Sequence, residues 1–112
     1  MNARDIYDRW LFELWGARFD GAASLIADGF VGHWPDRDVA GRDALVSLIR
    51  ETHGMFGSLE FAVELGPFSS GEYVFARWSG AGTEPDMRLL GHDLLRVEEG
   101  AIAEYWVVSW TG

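Results

Sequence analysis

Apolar residues at Ile6, Tyr7, Trp10, Leu11, Leu14 and Trp15 recur at spacings of one, three and four, with Asp5, Asp8, Arg9 and Glu13 between them. That pattern predicts one amphipathic helix over roughly residues 3–16, ended near Gly16. Asp20 is placed to cap a second, short helix carrying Ala22, Ala23, Leu25 and Ile26, with Gly29 just past its end. Phe30-Val31-Gly32-His33-Trp34-Pro35 reads as a short strand stopped by proline, and Asp36-Arg37-Asp38 as a polar loop. Gly41-Arg42-Asp43 opens a third helix, with Ala44, Leu45, Leu48, Ile49 and Thr52 on its inner face.

After His53-Gly54 the period falls towards two. Leu59, Phe61, Val63 and Leu65 alternate with Glu60, Ala62 and Glu64 on a long strand. Gly66-Pro67 marks a bend and Ser69-Ser70-Gly71-Glu72 a turn. Tyr73 to Gly80 forms the next strand, and Ala81 to Asp86 a loop. The segment from Gly91 to Val97, the turn Glu98-Glu99-Gly100, and the aromatic return Ala101 to Trp110 read as a closing hairpin. Grouped helices ahead of a meander of strands predict an α+β domain over residues 1–112: a curved antiparallel sheet with three N-terminal helices, forming a cone with a small-molecule cavity inside.

Composition narrows the function classes. A net charge of −9, with every fixed cation an Arg and none a Lys, disfavours nucleic acid and anionic membrane surfaces. The absence of Cys excludes disulfides, thiolate metal sites and a Cys nucleophile. Three scattered His with no metal-ligand spacing predict no metal site, and no Gly-rich phosphate loop is present. An aromatic content with six Trp in 112 residues suits a cavity lining or a subunit interface, or simply a Trp-rich core. With no apolar leader at Met1 to Asp5 and no long apolar run, a cytoplasmic protein is expected.

Two segments resemble a known family. Phe30 to Pro35 followed by Gly41-Arg42-Asp43-Ala44-Leu45 is similar to the early strand and third helix of SnoaL-like polyketide cyclases. Arg96-Val97-Glu98-Glu99-Gly100-Ala101-Ile102-Ala103-Glu104-Tyr105-Trp106 resembles their closing hairpin, R-V-x-D-G-x-I-x-E-x-W. The resemblance implies a cone of the nuclear transport factor 2-like superfamily. By similarity to ketosteroid isomerases in that superfamily, His33 falls near the catalytic carboxylate base, Asp93 at the oxyanion-binding acid, and Trp10 near the tyrosine of the first helix. Val107 stands where many SnoaL-like cyclases carry an Asp. Arg77, Ser79 and Val107 stand where limonene-epoxide hydrolases carry Arg and two carboxylates.

The candidate chemistry is therefore compact. His33 can exchange protons near neutral pH, or be a core histidine satisfied by a carbonyl, or one exposed before the loop. His92 and Asp93 are adjacent, so on a regular strand only one faces the cavity; the isomerase resemblance favours Asp93, and the opposite parity makes His92 the catalytic pocket residue, paired with His33 as in a dehydratase-like site. A carboxyl buried among aromatics should have its charged form disfavoured and could stabilise an oxyanion or orient His33. Arg77 either meets a ligand or pairs with Glu104 or Glu64, and Trp10, Trp34 and Trp106 shape the pocket. These readings anticipate a homodimer that binds a small hydrophobic or polyketide-like molecule, with cofactor-free isomerisation, cyclisation or dehydration next to a carbonyl. A non-catalytic ligand binder or dimerisation module on the same fold is the alternative.

Overall fold

A computed structural model describes residues 2–83 and 86–112. The N-terminal helix α1 (Ala3–Asp8) is capped by the Asn2 side chain, which accepts from the Asp5 N–H at 2.9 Å. It continues without a break into a π-helical segment, Arg9–Leu14, closed by Trp15 N–H on the Trp10 carbonyl. α2 is a single turn, Ala22–Leu25, with Gly21 rather than Asp20 at its N-cap. Ile26 leaves that turn directly into β1 (Ile26–Trp34), a longer strand than the apolar run alone predicts. The polar segment expected to be a loop is instead an edge strand, β2 (Arg37–Ala40). Its charged side chains suit an edge, where they discourage pairing with other chains. α3 (Arg42–Phe56) runs through Gly54 and buries Leu45 and Ile49.

Four long strands follow: β3 (Leu59–Ser70), β4 (Tyr73–Thr83), β5 (Asp86–Glu98) and β6 (Ala101–Thr111). Of the loop expected over Ala81 to Asp86, Ala81 to Thr83 belong to β4 and Asp86 to β5; Glu84 and Pro85 lie outside the described residues. The sheet order is β2-β1-β6-β5-β4-β3. All neighbours are antiparallel except β1 and β6, which are parallel. The expected curved antiparallel sheet is present, with one parallel seam between β1 and β6. β1 and β6 are separated by α3 and the whole meander, so no hairpin dictates their relative direction.

β4 alternates buried and exposed positions along its whole length. β3 does so only at first: Leu59 is buried, but register shifts on either side of Leu65 turn that residue out, opposite Arg77. The β5–β6 hairpin closes on Glu99 and Gly100, both at positive φ, which fits a tight two-residue connection between Glu98 and Ala101. The core lies between the inner sheet face and the helices, around Trp10, Tyr7, Phe30, Leu45, Leu95 and Ile102. Among the described residues no helix is long and apolar enough to cross a membrane.

Candidate functional site in the cone

β5 supplies the centre of the site. Gly91, Asp93 and Leu95 point inward and are buried, while His92, Leu94 and Arg96 are turned to the other face. Asp93 is only 1% exposed and is the one charged side chain buried among the described residues. Four donors hold it. Oδ1 accepts from Tyr105 OH at 2.6 Å and from Trp78 Nε1 at 2.8 Å. Oδ2 accepts from Tyr7 OH at 2.8 Å and from Trp10 Nε1 at 3.4 Å.

Strand register explains how the sheet donors arrive. Trp78 lies opposite Gly91 and Tyr105 opposite Leu95, each one inward position away from Asp93. Both reach it diagonally, from the two strands that flank β5. Tyr7 descends from α1 and Trp10 from the π-helical segment that continues it, three residues further on. The carboxyl thus ties the first helix to three strands.

Burial pushes the Asp93 carboxyl up to about 6, against the opposing pull of the four donors. Removing a carboxylate from water disfavours its charge, and here that cost exceeds the gain from the hydrogen bonds. The Tyr7 and Tyr105 hydroxyls are pushed well above the usual tyrosine range, chiefly by burial and then by the Asp93 charge beside them. Both therefore remain donors at physiological pH.

Asp93 and Tyr105 form part of the wall of a cavity of about 230 Å³. The rest of that wall is mostly apolar, with Leu11, Trp15, Trp34, Phe61 and Trp78 prominent. Trp34 meets Tyr105 edge-on with ring centroids 5.2 Å apart, and Phe61 meets Trp78 likewise at 5.6 Å. Thr52 and Ser109 also border the space; the Thr52 hydroxyl is already bound to the Leu48 carbonyl at 2.9 Å.

The structure separates the residues expected to act together. Asp93, Trp10 and Trp34 are at the cavity or its polar anchor. His33, expected as a base inside, is on the opposite face of the sheet. β1 turns Phe30 and Gly32 inward, so His33 between Gly32 and Trp34 points out. Its Nδ1 is 3.0 Å from Asp38 Oδ1 and its Nε2 is 2.7 Å from Glu104 Oε2, with the ring stacked on Trp106 at 5.4 Å. Those two carboxylates raise the His33 pKa, Glu104 contributing most, while His33 and Arg96 hold Glu104 below the usual range. Trp106 is accordingly an outer residue and not part of the cavity wall.

His92 also faces out, its ring 5.5 Å from Phe75 and 5.2 Å from Trp110. Arg77 pairs in register with His92 and places its guanidinium 5.8 Å from the Trp110 ring centroid. Glu104 is engaged by His33 and Arg96, and Glu64 by Arg88, so neither expected partner takes Arg77. Among the described residues no three His, Asp or Glu side chains are arranged to hold a metal ion. Three donors to Asp93 escaped the sequence reading: Tyr7, Trp78 and Tyr105. The available signal was general: a buried Tyr or Trp needs a partner for its polar end.

Six strands closed by helices, with one buried carboxyl at an apolar cavity, define the class: an α+β domain built around an internal cavity. The chain belongs to the SnoaL-like domain family, which it matches over residues 7–105. No curated protein sequence matches it. Solved structures do, at low identity. A protein from Jannaschia sp. CCS1, provisionally named a SnoaL-like polyketide cyclase, superposes with a TM-score of 0.85 at 17% identity, covering 96% of this chain and 84% of that one. A SnoaL-like polyketide cyclase from Agrobacterium tumefaciens C58 gives 0.81 at 17% identity, covering 98% and 92%. A protein from Kribbella flavida DSM 17836, provisionally named a ketosteroid isomerase, gives 0.80 at 19%, covering 94% and 75%. These similarities establish a shared fold.

Proposed function

We propose that the chain binds a small, mostly apolar molecule in the cone and presents one oxygen of that molecule to the Asp93–Tyr105 pair, which exchanges protons with it. The observation that carries this reading is a buried carboxyl with a pKa of about 6 at the wall of an otherwise apolar cavity. A group with that pKa gains and loses a proton close to neutral pH, as acid–base chemistry requires. Protonated, Asp93 donates to a carbonyl oxygen and to the enolate that develops from it; ionised, it accepts the proton of a bound ligand hydroxyl. Size limits the ligand. A volume of about 230 Å³ exceeds the ~150 Å³ that encloses a benzene and falls short of the ~300–1,000 Å³ of pockets for drug-sized ligands. One or two rings fit that space, which favours a small carbonyl compound or phenol over a long polyketide.

The second reading is binding without turnover. It is favoured by the four donors that already occupy Asp93 and by the position of His33, which leaves the cavity without a separate base. One experiment separates the two. A panel of one- and two-ring ketones and phenols is titrated by tryptophan fluorescence, and deuterium wash-in next to the carbonyl of each binder is followed by proton NMR. Saturable binding with wash-in above the buffer rate is expected. Binding without wash-in selects the second reading, and no binding by any compound rejects both.

The partner reading is a second copy of this chain on the outer sheet face. Phe68, Tyr73, Phe75, Val108 and Trp110 are exposed on β3, β4 and β6. A two-fold axis through this face sets the exposed apolar patch of one copy against the same patch of the other. Sedimentation equilibrium should then report twice the 12.5 kDa of the monomer; a monomer at micromolar concentration rejects it.

A further inference from the structure

Glycine is disfavoured inside strands, because it weakens pairing and has no side chain to pack. Yet β5 carries Gly91 at an inward, buried position two residues before Asp93. The space above it is taken. A methyl group at this position would overlap the Cε2 and Cζ2 atoms of the Trp78 indole and sit 2.7 Å from its Nε1. Trp78 is the residue directly opposite Gly91 on β4, and its ring crosses β5 over that bare Cα. Only by crossing there does the indole N–H reach Asp93 Oδ1 at 2.8 Å. On its other side the ring meets Phe61 edge-on, with centroids 5.6 Å apart, so a retreat from a side chain at position 91 carries the indole towards the cavity and away from Asp93.

We infer that Gly91 is a positioning residue of this site: its missing side chain lets Trp78 lie across β5 and set its indole N–H on Asp93. Gly91 touches no reacting atom in this scheme and acts through Trp78. The inference extends the proposed role of Asp93, but its test needs no ligand. Each donor to a carboxylate favours the ionised form, so displacing the indole leaves Asp93 harder to ionise. It also frees one Oδ1 lone pair at the cavity wall, where a ligand hydroxyl could take the indole's place.

The experiment follows the Asp93 carboxyl by carbon-13 NMR over pH in the ligand-free protein, in Gly91→Ala, Trp78→Phe and the double variant. Gly91→Ala and Trp78→Phe should each raise the Asp93 midpoint by about one pH unit or more, the scale expected for losing one hydrogen bond to a charged group. The double variant should show no further rise beyond Trp78→Phe alone. The inference is overturned if folded Gly91→Ala keeps the wild-type midpoint, if Trp78→Phe does, or if the two effects add in full. If Gly91→Ala does not fold, folding of the double variant supports a clash with Trp78, and failure of both counts against it. Failure here leaves the ligand-binding reading standing, and failure to bind any ligand leaves this one standing.

Discussion

Two ionisable groups sit on opposite faces of the same sheet, and their pKa values are raised for opposite reasons. Asp93 on the inner face is dry and neutralised towards its protonated form by burial, although four donors pull the other way. His33 on the outer face is partly exposed and is drawn towards its charged form by Glu104 and Asp38. β1 and β5 both lie beside β6, so the two sites share a strand: Tyr105 serves the inner one and Glu104 and Trp106 the outer. Strand parity alone assigns consecutive residues to a low-dielectric pocket or to a solvated ion-pair network. The first can hold a proton against a ligand; the second mainly fastens β2 and β1 to β6.

The largest difference should appear on truncation. Asp93→Ala leaves Tyr7, Trp10, Trp78 and Tyr105 without their acceptor inside the core, and a cost of about 4 kcal/mol in urea unfolding is expected. A loss below about 1 kcal/mol would mean that the donors find other partners.

The pH dependence of stability comes next. The Asp93 pKa rises from 3.8 in an ordinary environment to about 6 in the fold, so the folded state binds the extra proton between those values. The group's contribution is therefore fully present below about pH 3.8 and is lost as pH rises through about 6. At 1.36 kcal/mol per unit, the loss is about 3 kcal/mol. Wild type should lose that much relative to Asp93→Asn between about pH 3 and 7, most of it above pH 4. A flat difference between the two proteins would show that Asp93 is ionised throughout.

Much of this contrast is legible in the sequence itself. The cone, the closing hairpin and the opposite facing of His92 and Asp93 follow from period and parity. The outward turn of His33 was also within reach, because Phe30 and Gly32 alternate with it; the similarity to an isomerase base outweighed that local signal. The donors to Asp93 were not legible. Tyr7 is 86 residues from Asp93 and Trp10 is 83, a separation that no local pattern spans. β2 was hidden by Asp36-Arg37-Asp38, whose charges look like a loop and are also what an edge strand uses. Leu65 failed for another reason: a register shift in β3 reverses the face of a residue whose alternation was otherwise regular.

The smallest effect tests the outer half of the comparison. With Nδ1 on Asp38 and Nε2 on Glu104, the two contacts are both hydrogen bonds only when each nitrogen carries a proton, that is, in the imidazolium form. Because the folded pKa of His33 is raised, this tie is fully present below about pH 6.5 and is lost as pH rises through the raised value. Glu104→Gln should move the His33 midpoint, read from its ring-proton NMR shifts, back towards that of a free histidine. His33→Ala should loosen β2, seen as faster amide exchange at Val39, yet leave cavity-ligand affinity within about twofold, since a partly exposed ion pair contributes little. A tenfold change in that affinity would show that the two faces communicate through β6, and the separation drawn between them would have to be abandoned.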